Sequence, residues 1–391
     1  MRLLIDSLMF NSAGGVKRAD ELAMAVVAKK PSDWEVFWMV SDQNGDSVHD
    51  AKNITIMRLQ PRHNWFGKIR WYYHDTPAIA ARLGIDVILS LSGILSHRSW
   101  KNFGTITSFA TILPFAPVRN RQISPVSIQF IRDLVQRRLL LTGARRADAA
   151  VMFCQRLVDI VDSHVPGFKA KSHTEFYGIS DHTKNDIEKI DIHPYYGKPY
   201  IFYASSIYPY KNHLGLLEAY RSALEEEPDL PDLLLAGIPA DKLLVQKIEY
   251  FIRSRGLVEK AKYLGNLPRE KIATWLYYAD FNIFPSLCEA NSMVLFEIME
   301  VGGALACSRT AFDRLAGDSE LEFFDPESSG EMKSVILKLT RDPSRRAHLR
   351  DVAIHLGDQF SWPRIGETIW AAARKAEDSF RIRKGGEGSS I

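Results

Sequence analysis

The sequence predicts two doubly wound α/β domains in tandem, on three observations. Short, nearly continuous apolar runs alternate with helical stretches along the chain. Both halves share this style, and DIHPYYGKP (191–199), rich in Pro, Gly and Tyr, separates them as a linker. At 391 residues the chain is also long enough for two cores.

In the first half the runs are 2–8, 34–40, 54–59, 86–91, 105–110 and 149–154. Apolar residues dominate several of them end to end, the pattern of parallel strands covered on both faces. Between the first two lies VKRADELAMAVVAKK, where Val16, Ala19, Leu22, Ala23 and Val26 share one helical face. The second half gives strands at 200–206, 232–237, 261–265, 281–286, 303–308 and 321–325. Helices are expected at 213–225, 239–255, 268–279, 293–302 and 329–341. In such sheets ligands sit beyond the carboxyl ends of the strands, so a cleft between the domains is the expected active site.

Composition removes several classes. With 46% hydrophobic and 25% charged residues the chain is neither disordered nor fibrous. Cys154, Cys288 and Cys307 have no metal-ligand spacing and read as reduced thiols of a cytoplasmic protein. The N-terminus reads as a first strand rather than a signal peptide, and no apolar run reaches transmembrane length. Residues 1–198 hold 26 Lys and Arg against 19 Asp and Glu, and the remainder 24 against 28. That basic excess is too dilute for nucleic acid but suits an anionic lipid surface or an acidic substrate.

The chemistry concentrates in PSLCEANSMVLFEIMEVGG (285–303). A strand ends at Pro285-Ser286, a loop follows, and a helix starts near Ser292, with Asn291 and Ser292 as N-cap candidates. Helix amides beginning at Met293 favour a phosphate. Glu289 and Glu297 would repel a diphosphate at contact, but flanking it they accept paired hydrogen bonds from sugar diols. A nucleotide-sugar carries such diols on both sides of its diphosphate. Taken singly, these residues are ordinary: Glu289 a loop residue, Glu297 a surface helix residue, Lys211 a solvated turn lysine. His97, His173 and His182 read as loop or core histidines, and Tyr208 and Tyr210 as packing around their turn.

Glu289 and Glu297 form an E-x7-E pattern, and its frame resembles glycosyltransferase family 4, the retaining GT-B enzymes of the bacterial polysaccharide-assembly type. YASSIYPYKNH (203–213) is similar to that family's strand-turn-Lys-Asn element, which implies that Lys211 contacts the donor diphosphate, beside Ser206. YLGNL (263–267) resembles the loop around the nucleobase, giving Gly265, Asn266 and Leu267. Gly14 and Gly15 resemble the loop that approaches phosphates and sugar, and ADAAVMFCQ (147–155) matches the strand closing the first domain. GDSELEFFDP (317–326) and FSW (360–362) match later landmarks. The resemblance is specific over 200–326 and weaker before residue 145.

The sequence departs from the family in places. Ser206 stands where many relatives carry an Arg, so one phosphate-binding cation is missing or comes from elsewhere. Glu289-Ala290-Asn291-Ser292 replaces a Glu-Gly-Phe-Gly loop. Ala110 and Thr111 stand where relatives often carry His or Asn near the donor sugar. These changes bear on sugar and acceptor preference rather than on the reaction class.

The stretch 115–146 holds seven arginines and one acid, Asp133, with Ile128, Ile131, Val135 and Leu139 at helical spacing. It reads either as an interfacial helix on anionic lipid or as a core-packing helix with a solvated basic face. The resemblance implies an acceptor-binding domain over 1–190, a nucleotide-sugar-binding domain over 200–362, and a helix at 363–382 packing back on the first domain. The polar, glycine-rich residues 383–391 read as a disordered tail.

The expected activity is hexose transfer with retention from a UDP- or GDP-sugar to a sugar or lipid-linked sugar acceptor, in surface polysaccharide synthesis. UDP is placed first as the commoner nucleotide. The donor is a co-substrate, and neither cofactor nor metal is expected, since no Asp-x-Asp motif sits at a strand end. Lys211 and Glu289 are the expected catalytic residues. Two rivals remain at this point: a catalytically silent nucleotide-sugar-binding scaffold, and a GT-B nucleotide-sugar 2-epimerase.

Overall fold

The structure is a computed structural model. It describes residues 1–8, 21–22, 24–41, 54–60, 65–122, 124, 127–178, 195, 197–311 and 320–387. Gly14, Gly15 and His182 lie outside these residues. So do 191–194 and 196 of the expected linker.

The first sheet contains β1 (Arg2–Asp6), β2 (Glu35–Ser41), β3 (Ile54–Leu59), β4 (Val87–Ser90), β5 (Gly104–Thr107), β6 (Ala149–Met152) and β7 (Ser172–Thr174), in the order β3-β2-β1-β4-β5-β6-β7. The second contains β8 (Tyr200–Ala204), β9 (Asp232–Ala236), β10 (Ala261–Tyr263), β11 (Phe281–Phe284), β12 (Leu305–Ser308) and β13 (Glu322–Phe324), in the order β10-β9-β8-β11-β12-β13. All pairings are parallel. Each order reverses once, between β1 and β4 and between β8 and β11. Those are the two places where a doubly wound sheet opens a crevice. Strands such as VILS (β4) and YIFYA (β8) are buried throughout, as cover on both faces requires. The short, polar β7, Ser-His-Thr, carries no apolar signal, and the sequence reading misses it.

Two compact units emerge: Met1–Phe115, Ile131–Gly178 and Ser361–Ile391 form one, and Ala116–Phe130 with Ile179–Phe360 the other. The domain limits drawn from sequence therefore need correction. Residues 116–130 leave the first half and cluster with the second, and Tyr195 of the expected linker packs its ring on Tyr200 and Trp275, each 5.7 Å away.

The helix Trp362–Glu387 belongs to the first unit. Trp370 Nε1 donates to the Val26 carbonyl at 3.2 Å, and Glu367 pairs with Lys29 at 2.7 Å. The expectation of a disordered tail fails for 383–387, because the helix continues to Glu387, and 388–391 lie outside the described residues. Arg383 holds it by an ion pair with Asp148, a 2.7 Å bond to the Trp100 carbonyl and a position over the Trp100 ring.

The helix Ile128–Arg146 can be set against the two readings of its stretch. Its core-facing residues are Leu140, Leu141, Gly143 and Ala144, whereas Ile128 is 70% and Ile131 58% exposed. Of the four apolar positions at helical spacing, Ile128 and Ile131 thus face solvent, and Val135 and Leu139 are half-buried. Among the described residues no helix is long and apolar enough to cross a membrane. Cys154, Cys288 and Cys307 are buried free thiols.

Candidate active site

The site grows from the switch point of the second sheet. After β8 the backbone stays tied to its neighbour: Ser205 N–H donates to the Ala236 carbonyl at 2.8 Å and Ile207 N–H to that of Ile238 at 2.9 Å. Gly237 permits this approach, because a Cβ there would lie 1.8 Å from the Ser205 carbonyl oxygen. Pro209–Lys211 then form a single 3-10 turn, closed by Lys211 N–H on the Tyr208 carbonyl at 3.0 Å. Asn212 follows at φ 60°, ψ 34°, a left-handed conformation that Asn tolerates better than most side chains, and the helix His213–Leu224 begins. The Asn212 amide donates to the Pro326 carbonyl at 2.8 Å. Gly215 leaves room for it, since a Cβ would stand 2.4 Å from Asn212 Oδ1.

Beneath the turn lies a buried polar chain. Tyr203 OH donates to the Lys211 carbonyl at 2.8 Å, and Ser205 Oγ donates to Tyr203 OH at 3.0 Å. The His213 ring packs on Tyr203 with centroids 4.8 Å apart. Burial, and then the Lys211 charge, push the His213 imidazole down to about 3, so it is neutral. Burial raises the Tyr203 phenol well above its ordinary range. Lys211 thus stands on a base fixed in place and uncharged.

The other wall is the loop after β11. Leu287 N–H donates to the Tyr210 carbonyl at 2.8 Å, which stitches this loop to the Lys211 turn across the switch point. The Ser286 carbonyl accepts from Ser308 Oγ at 2.6 Å and Thr310 Oγ1 at 2.8 Å. The stitching brings Lys211 Nζ onto Glu289 Oε1 as an ion pair, with side chains 10% and 11% exposed. Ser286 Oγ donates to the same oxygen at 2.8 Å. Nζ also lies 5.1 Å from the Phe284 ring centroid. Residues 78 positions apart in sequence therefore share one contact.

The remaining candidates spread around this pair. Glu297 is half-buried on the helix Met293–Glu300. Ser292 takes the N-cap position of that helix with extended dihedrals, but its side chain makes no capping bond, which corrects the capping role read from sequence. Asn291 and Met293 beside it are half-buried. Ser206 is half-buried in the loop after β8. Gly265, at φ 73°, offers its carbonyl to Gly237 N–H at 2.8 Å, so the Gly265-Asn266-Leu267 loop joins the same strand ends through β9. Tyr208 and Tyr210 stack on each other, 5.7 Å apart and 15° from parallel. Ala110 and Thr111 are half-buried in the first unit, in the loop after β5.

One group escaped the sequence reading. The short helix Val118–Arg121 packs against the Pro209–Lys211 turn. Arg119 stands 3.9 Å from Glu327, next to the Pro326 that holds Asn212, and Arg121 is buried. The only signal available was the run of arginines, which was assigned to the wrong unit.

In the first unit the corresponding strand end carries Asp6. It is buried and accepts from Leu8 N–H at 3.3 Å, Trp71 Nε1 at 3.2 Å and Thr76 Oγ1 at 3.0 Å. Burial raises its carboxyl above the ordinary range, against those bonds. Trp71–Asp75 form a π-helical turn, with Trp71 and Thr76 reaching the same oxygen.

Two Rossmann-like units in tandem, with the solved structures they resemble, give the fold as GT-B. HepE of Anabaena, solved with UDP and glucose, superposes over 95% of this chain and 98% of its own (TM-score 0.71, 14% identity). Sucrose-phosphate synthase of Thermosynechococcus elongatus does so over 97% and 100% (TM-score 0.76, 16% identity). Residues 185–355 match the family described as Glycosyl transferases group 1. The O-antigen chain mannosyltransferase B of Escherichia coli is 29% identical over 166 residues, covering 42% of each protein. The alignment thus spans less than half of that relative's length.

Proposed function

We propose that this protein is a retaining glycosyltransferase that moves a hexose from a nucleoside diphosphate-sugar to a sugar or lipid-linked sugar acceptor in surface polysaccharide synthesis. The observation that carries the reading is the meeting of Lys211 and Glu289 across the β8/β11 switch point, within the family-matched stretch. A cation and a hydroxyl acceptor at one crevice suit a charged leaving group joined to a polyhydroxylated ring.

Cleavage of the C1–O bond moves negative charge onto the diphosphate. We assign the stabilisation of that charge to Lys211, once the diphosphate has drawn it from Glu289, and to the amides at the start of Met293–Glu300. These groups take the part a divalent cation plays in other transferases, so the reaction is proposed to need no metal. Glu289 holds hexose hydroxyls and Glu297 the ribose, while the first unit takes the acceptor. Retention follows from attack on the face the leaving group departs from, with the departing phosphate taking the acceptor's proton.

UDP is the favoured nucleotide, with GDP the alternative; the HepE complexes with UDP and the mannosyltransferase relative make both worth testing. A thermal-shift panel of UDP-, GDP- and ADP-sugars tests the reading. A ligand at 100 times its Kd adds about 2.7 kcal/mol of stability. Stabilisation by one nucleotide's sugars, then transfer to an acceptor in excess EDTA, is the expected result. Stabilisation by none of them, or a strict Mg²⁺ requirement, contradicts it.

A cytoplasmic location, peripheral on the inner membrane face, is part of this reading. Ile131 and Leu134, 58% and 47% exposed, share a face of their helix with exposed Arg138. Flotation with phosphatidylglycerol vesicles, lost in Ile131→Ser/Leu134→Ser, is the expected outcome. Flotation of wild type only with neutral vesicles, or with none, rejects this part.

A further inference from the structure

We infer that Glu289 serves the unliganded protein as the built-in counter-ion of Lys211, and that this makes the site prefer an intact nucleotide-sugar over the spent nucleotide. The inference rests on the functional reading above and adds a selectivity to it. Both side chains are about nine-tenths buried, so the pair is weakly screened. Ser286 fastens the carboxylate on one side, and Tyr203 and Asn212 fix the backbone that carries the lysine. The site therefore waits in a neutralised state.

A diphosphate entering this site competes with Glu289 for the lysine. If it wins, it leaves a buried carboxylate short of its cation, which is strongly unfavourable. A nucleotide-sugar offers a remedy, because hexose hydroxyls donate to Glu289 as the diphosphate takes Lys211. A nucleoside diphosphate brings no such donors. After transfer the carboxylate loses its hydroxyl partners and recaptures the lysine, which weakens the hold on the product. One residue thereby serves sugar recognition and product release.

The test is calorimetric titration of the full chain with UDP or GDP, whichever the sugar panel selects, and with the matching nucleotide-sugar. Wild type, Glu289→Gln, Lys211→Gln and the double variant are compared. Glu289→Gln is expected to bind the nucleoside diphosphate about tenfold more tightly while binding the nucleotide-sugar no better. In the Lys211→Gln background the gain is expected to vanish, because no cation is left to release. Unchanged or weaker nucleotide binding in Glu289→Gln, with Lys211→Gln still impaired, overturns the counter-ion and leaves the functional reading standing. Nucleotide binding that ignores Lys211→Gln overturns the functional reading, and the inference with it. Should Glu289→Gln fold poorly, Glu289→Asp gives the same readout, since the shorter acid releases Lys211 in part. A several-fold tightening there supports the inference, and none rejects it.

Discussion

Asp6 and Glu289 make an instructive pair. Each is a buried carboxylate at or beyond the end of a central strand, in a sheet whose order reverses beside it. Around Asp6 the donors are a backbone amide, an indole and a hydroxyl, all fixed parts of the fold. Around Glu289 they include an ammonium and a serine hydroxyl. Neutral donors hold a carboxylate permanently but leave its desolvation partly unmet, and its carboxyl rises accordingly. A lysine at the end of a flexible stem carries a charge of opposite sign and can be exchanged for a ligand. One acid therefore shapes the first unit, and the other is available for binding.

This contrast can be broken most directly at the lysine. Lys211→Ala is expected to cost about 3 kcal/mol of transition-state stabilisation, roughly 10²-fold in rate. Unchanged kcat in that variant would remove Lys211 from the chemistry. Asp6→Asn should behave in the opposite way. Placing an amide before two donors that shared an acceptor costs about 2 kcal/mol of stability, while nucleotide affinity stays at wild type. A variant of normal urea midpoint but altered nucleotide binding would reverse the roles assigned to the two acids. Glu297→Ala sharpens the boundary of the site, with an expected loss of roughly 1–3 kcal/mol in nucleotide binding through the ribose contacts. Calorimetry giving wild-type affinity would confine the site to the Lys211–Glu289 neighbourhood.

The smallest expected effect tests the base beneath the lysine. His213 is depressed to about 3 in the folded protein against 6.5 when unfolded. Its contribution is therefore complete above 6.5 and shrinks as the pH falls below it, because only the unfolded chain then takes up the proton. Between pH 7.5 and 5.5 the loss is about 1 kcal/mol, and it should disappear in His213→Gln. Parallel pH profiles for the two proteins would show that the ring does not remain neutral on folding.

The strands were legible because parallel strands covered on both faces must be apolar throughout, and β8 and β11 announce themselves in that way. Lys211, Glu289 and Glu297 could be singled out because turn, loop and helix signals bracket them, and because their frame resembles a known family. Short or polar elements gave no such signal. β7 offers only Ser-His-Thr, and the apolar spacing of Ile128 and Ile131 looks the same whether the face meets core or solvent. The arginines at 119 and 121 were visible, but their place beside Pro209–Lys211 was not. A segment's partner across nearly ninety residues depends on packing, to which local pattern is blind.

Taken alone, the sequence determined the alternation of strands and helices, the halving of the chain and the residue types at the second switch point. Those properties follow from local periodicity and local backbone preference. Only the tertiary structure decided that Ala116–Phe130 clusters with the second unit, that Arg383 anchors the final helix to Asp148, and that Lys211 and Glu289 meet as an ion pair. Each of these is a contact between distant residues, whose free energy depends on burial and partners that exist only once the sheets have formed.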